Sequence, residues 1–238
     1  MVSWFRRARE RLDAPRLKPR NDQRAMERVD LHELSPKLPA YLAQAAYLQL
    51  TFFETLGHVV ASAPTTEAKI ALARVADRAL DKHEALVAEI VRRGDDPAKA
   101  MEPFRAGVDE FQRVTRGNDW YENLVTCYVT AGFLDDFFVL LGAGYTGEAA
   151  TRSVAVFRRP SGSEDLVALI QAGIDANPRL GSRLAMWGRR LVGDTMLVAR
   201  SALVFGANHD TDEARIEPVF TELIAAHTRR MDALGLTA

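Results

Sequence analysis

A single cysteine, Cys127, in 238 residues excludes an internal disulfide framework. It sits inside a helical pattern and reads as a small buried hydrophobe, as unpaired cysteine commonly is. No uninterrupted apolar run approaches the roughly 18 residues that a membrane-spanning helix needs. Charge also breaks up the N-terminus too early for a signal-peptide apolar region. A cytoplasmic chain with no transmembrane segment is therefore expected. Net charge is scarce too: the formal value of −1 excludes a surface built throughout for nucleic acid. Histidine is sparse, and the residues three before the five histidines are Val29, Thr55, Leu80, Gly206 and Ile224. No Glu-x-x-His or Asp-x-x-His pair exists for a metal to use.

What is abundant is amphipathic helix. Hydrophobic residues make up 47% of the chain and charged residues 26%, enough apolar surface for one large helical domain. Four segments carry apolar seams with alternating steps of four and three. They run Leu38, Leu42, Ala45, Gln49, Phe52, Leu56, Val59; then Ala73, Ala76, Leu80, His83, Val87, Ile90; then Glu122, Val125, Val129, Gly132, Asp136, Val139; and finally Leu180, Leu184, Trp187, Leu191, Asp194, Val198. Each seam holds a polar residue where a core residue belongs, the pattern of a four-helix bundle with an internal site.

Ser35-Pro36 offers a start to the first helix, Pro64 and Thr65-Thr66 stop it and begin the second, and Arg92-Arg93-Gly94 ends that one. Residues 95–117 form a weaker helical stretch that can serve as a long crossover. Asp119 caps the third helix, a short helix follows Ser163, the fourth core helix spans about 179–205, and residues 210–234 make an extra C-terminal helix. The expected fold is all-α: an up-down-down-up bundle over residues 36–238, preceded by an arm and linker over residues 1–35.

The arm is basic. Residues 1–28 hold nine Lys/Arg against four acids, +5, leaving −6 on the rest. Arg6, Arg7, Arg9 and Arg11 lie opposite a short apolar stripe, which gives a weak contact with tRNA or an anionic surface a physical basis. A solvated arm is the plainer reading.

In an antiparallel arrangement around Pro64, Gln49 and His83 share a layer, and Asp136 and Asp194 reach it from the third and fourth helices. A buried polar cluster of Gln49, His83, Asp136 and Asp194 is expected, with His83 hydrogen-bonded to one of the two aspartates. Glu122 lies about 21 Å from Asp136 at 1.5 Å per residue and cannot join that cluster. An acid in the first turn has a ready role at the helix dipole. Glu54 and His58 form an i,i+4 pair, a second place where a metal could be held.

The run from Gln49 to Glu54, His83, the stretch from Asp119 to Glu122, Asp135-Asp136-Phe137 and the segment from Arg183 to Asp194 resemble the ferritin-like proteins of actinobacteria grouped with the tRNA-(2-methylthio-N6-isopentenyladenosine) hydroxylases. The resemblance covers about residues 36–205. It implies a ferritin-like bundle in which metal-competent relatives bind two irons through a Glu, a Glu-x-x-His, a further Glu and a further Glu/Asp-x-x-His. Here Gln49 stands at the level of the first Glu and Leu80 replaces the bridging Glu, so the motif is depleted. The remaining metal candidates are His83, Asp136, Asp194, Glu54 and Glu122. The expected protein is a non-catalytic, structural or interaction bundle without a cofactor, working with a protein partner or as a homodimer. The alternative is a di-iron hydroxylase of the tRNA type, with iron as its cofactor.

Overall fold

A computed structural model describes residues 34–204 and 209–236; the basic arm lies outside the described residues. Among the described residues there are eight helices and no strand: α1 (Leu38–Ala61), α2 (Thr66–Arg92), α3 (Pro97–Val114), α4 (Trp120–Gly142), α5 (Glu148–Phe157), α6 (Ser163–Ala176), α7 (Pro178–Ser201) and α8 (His209–Ala233).

Cross-helix contacts fix the directions. Tyr41 near the start of α1 donates to the Phe138 carbonyl late in α4, while Trp120 at the start of α4 donates to the Val59 carbonyl late in α1. These two helices are antiparallel. The His83 ring bonds the Ala46 carbonyl across the α1–α2 hairpin, so α2 and α4 run the same way. The fourth member is α5 and α6 together. Arg152 pairs with Glu89, and Arg78 pairs with Glu164, at opposite ends of an antiparallel contact with α2. Phe157 stacks on Phe138, and Gly173 lies against Tyr121, at opposite ends of an antiparallel contact with α4. The bundle is therefore up-down-down-up, with α3 as the crossover.

This corrects the sequence reading in one respect. The segment expected to close the bundle, α7, lies outside it and runs parallel to α4: Arg183 meets Glu122, and Trp187 one turn later donates to Thr126 one turn later. The true fourth helix is broken over residues 158–162. Gly162 makes the break, at φ +77° with Arg78 Nη1 only 2.7 Å from where a Cβ would stand. A side chain there would meet both the strain of the left-handed region and a steric conflict. The α8 helix returns antiparallel to α7, with Met231 against Gly188.

Side-chain caps start α2, α3 and α4. Thr65 accepts from the Ala68 amide, Asp96 from Ala98 and Lys99, and Asp119 from Glu122. The first helix begins two residues later than Ser35-Pro36 suggests, with Lys37 at its N-cap and Pro39 in its first turn. Walled by the bundle on one side and α7–α8 on the other, α4 is buried almost all round. That explains why its mean hydropathy of 1.7 over 18 residues reaches the range of a membrane span, a property missed by looking for uninterrupted apolar runs. Two-thirds of that window is buried inside the protein, as expected of a central core helix.

Candidate functional site

The inner face of α2 is not the seam expected from its apolar residues. Leu72, Val75, Ala76, Ala79, Lys82, Leu86, Glu89 and Ile90 point inward, whereas Ala73 is exposed and Leu80, His83 and Val87 are half-buried. Seen along the axis, the buried face is rotated by about one residue, roughly 100°. Two charged residues lie on it, and each has brought its counter-ion.

At mid-bundle, Lys82 Nζ lies 2.5 Å from Asp135 Oδ2, with the two side chains 3% and 12% exposed. Gln49 Nε2 donates to the other carboxylate oxygen at 3.2 Å. Asp135 therefore has both oxygens occupied, one by an ammonium and one by an amide. Burial pushes its carboxyl above the usual range, and the charge of Lys82 pulls in the opposite direction. Two turns along α2, Glu89 is clamped by Arg152 at 2.5 Å and Arg92 at 2.5 Å. The Arg152 hydrogen bond holds that carboxyl below its ordinary value.

The other residues singled out from the sequence are distributed differently. Gln49 belongs to the polar layer as expected. His83 faces the α1 backbone, its Nδ1 2.8 Å from the Ala46 oxygen, and no hydrogen bond among the described residues joins it to Asp136 or Asp194. Asp136 pairs with Arg230 of α8, whose guanidinium also donates to the Gly132 carbonyl at 2.9 Å. Asp194 is half-buried on α7, outside the four-helix bundle, and Thr195 beside it takes the core position. The expected Gln49–His83–Asp136–Asp194 cluster therefore does not form. The residue the sequence reading missed is Asp135, with Lys82 opposite it. The available signal was an acid adjacent to Asp136 in an otherwise apolar helix and a lysine seven residues before Glu89.

Glu122 is buried but serves its own helix end: it accepts from the Asn118 amide and side chain at 2.8 Å and from Arg183 at 3.2 Å. Glu54 and His58 are an exposed pair 3.9 Å apart on α1. They line a second cavity, of about 430 Å³, beside α3. Cys127 is buried, and burial pushes its thiol up to about 12, which leaves it protonated and inert at neutral pH.

Lys82, Asp135 and Gln49 form one wall of a cavity of about 330 Å³, opened by the break in the fourth helix. Phe52, Leu56, Ala79, Phe157 and Leu166 supply apolar surface. Arg78, Arg159 and Arg230 also reach it.

The donor set at mid-bundle does not fit the di-iron centre that a ferritin-like fold implies. Two irons need several carboxylates to offset their charge. This layer offers Asp135 with both oxygens engaged, Asp136 tied to Arg230, a neutral amide, and an ammonium that would repel a cation. Among the described residues no group of three or more His, Cys, Asp or Glu is gathered closely enough to hold a metal.

Fold and interior together define a helical bundle of ferritin type with a charge-paired centre. Residues 37–211, well over half of the chain, match the model of a family described as ferritin-like domain, actinomycetes, and the chain belongs to that family. No curated protein matches it.

Proposed function

We propose that this is a non-catalytic ferritin-like protein in which a buried ion pair stands where metal-competent relatives of the tRNA hydroxylase type would carry iron. The observation that carries the reading is Lys82 Nζ at 2.5 Å from Asp135 Oδ2, with Gln49 on the remaining oxygen. An ammonium held at this distance supplies the positive charge that a metal would otherwise bring to the carboxylate. The depleted motif agrees: Gln49 stands at the level of the first glutamate, and the inward positions of α2 at that level hold Ala79 and Lys82 rather than an acid. On this reading the protein is a cytoplasmic binding or scaffold protein that engages a protein partner or a second copy of itself. Its basic arm adds weak contacts with tRNA or an anionic surface through Arg6, Arg7, Arg9 and Arg11.

Elemental analysis of protein expressed aerobically with added iron tests the proposal. The expected result is no stoichiometric metal. Two irons per chain would overturn it in favour of a di-iron hydroxylase.

A further inference from the structure

We propose that the cavity beside Lys82 binds a small organic carboxylate with an apolar body, its head facing the cations of the bundle centre and its tail lying against the apolar wall. This deepens the proposed function and rests on it in one respect: Lys82 must be a free ammonium with no metal beside it.

The lining of the cavity is unevenly charged. The two acids lining the cavity are both engaged. Asp135 gives one oxygen to Lys82 and the other to Gln49, and Asp136 is bound by Arg230. The cations are not exhausted. An ammonium has three N–H donors, and among the described residues Lys82 uses one, on Asp135. Arg230 has a buried Nη1 with no partner among the described residues. The Arg159 guanidinium at the mouth is exposed, and no hydrogen bond or ion pair engages it among the described residues. Four cationic side chains line the space against two acidic ones, so the lining is net positive even though Arg78 is paired with Glu164 outside it. The Arg230 Nη1 is sealed from the cavity, so the donors a ligand oxygen can meet are those that Lys82 and Arg159 turn to it.

Asp135 and Asp136 are neighbours in α4, so the two cations they hold lie at the same level of the bundle. Gly132 lets one of them in: a Cβ there would stand 2.5 Å from Arg230 Nε, so only glycine lets this guanidinium lie across α4. The apolar side chains of Phe52, Leu56, Ala79, Phe157 and Leu166 then favour a ligand with a hydrocarbon part over a bare inorganic anion. At about 330 Å³ the space is at the lower end of ligand-pocket sizes, which start at about 300 Å³.

Calorimetric titration of the full chain with octanoate, octanol and inorganic phosphate is the test, with iron content measured on the same sample. Octanoate is expected to bind one to one, with octanol weaker by about tenfold or more and phosphate not competing. Replacing Arg159 by Ala at the exposed mouth is expected to weaken octanoate about threefold to tenfold without altering Tm. Filling the cavity with Ala131→Phe, which leaves every ion pair in place, is expected to abolish binding. Equal affinity for octanol, competition by phosphate at equal strength, no octanoate binding by iron-free protein, or unchanged binding by folded Ala131→Phe would each overturn the pocket assignment. Stoichiometric iron in the sample would instead overturn the reading on which it rests.

Discussion

Two charged layers cross this bundle, two turns of α2 apart, and they are built on opposite principles. At Glu89 a buried acid is covered by two arginines whose side chains are about half exposed, so the cations keep much of their hydration while their guanidinium ends seal the interior. At Lys82–Asp135 both partners are inside. Removing two charges from water costs several kcal/mol each, and their mutual attraction seldom returns more than that. The first layer is a staple between α2 and α5. The second is a costly arrangement that borders the cavity proposed to hold a ligand.

The largest expected effect separates the two layers directly. Asp135→Leu strands the Lys82 ammonium in the core and should cost about 3–5 kcal/mol in urea unfolding, whereas the double variant Lys82→Met/Asp135→Leu should recover to within about 1.5 kcal/mol of the parent. A single variant costing under about 1 kcal/mol would mean that water already reaches the pair. Glu89→Gln should cost less, about 1–3 kcal/mol, because Arg92 and Arg152 can turn outward into solvent once released.

The same contrast explains what was legible in the sequence. The α1 seam from Leu42 to Val59 is legible because most buried positions of that helix are apolar, Gln44, Gln49 and Thr51 apart. Apolar spacing puts the α2 seam one residue out of phase, because the inward Lys82 and Glu89 are charged while Leu80, His83 and Val87 keep the period. Apolar periodicity finds a buried face only where burial is achieved by apolar residues. A buried charge looks like a surface charge until its partner is known, and Asp135 and Arg152 come from helices far along the chain. The fourth helix is masked in the sequence for a related reason: α7 is long, capped by Asn177 and strongly amphipathic, while α5 and α6 are short and interrupted. Both have an apolar side, and α4 has enough buried surface to receive both.

Acid titration should sharpen the comparison, because the layers respond with opposite sign. Burial holds Asp135 above its ordinary value, so its contribution to stability is complete at low pH and is lost as pH rises through its folded pKa. Glu89 is held below its ordinary value by Arg152, so its contribution is complete above about 4.5 and is lost as pH falls through its folded pKa. The advantage of the parent over Glu89→Gln should therefore shrink below about pH 4.5, while that over Asp135→Asn should grow. A third group overlaps this window. Burial, aided by the charge of Arg230, lowers His227 to about 4, so its neutral ring contributes stability above pH 6.5 that disappears as pH falls toward 4. His227→Phe should flatten that part of the profile, and an unchanged slope would mean that the ring titrates alike in the folded and unfolded chain.

The smallest effect is expected at Glu54. This residue and His58 have the i,i+4 spacing of a helical pair, the second place in the sequence where a metal could be held. Their side chains are 61% and 66% exposed and 3.9 Å apart, so water screens the attraction and each side chain loses rotamer freedom to make the contact. Glu54→Gln should change unfolding free energy by less than about 0.5 kcal/mol. It should also leave octanoate titration untouched, because Glu54 lines the other cavity. A larger loss of stability, or a change in metal content after growth in added iron, would transfer the search for this protein's ligand from the bundle centre to the face between α1 and α3.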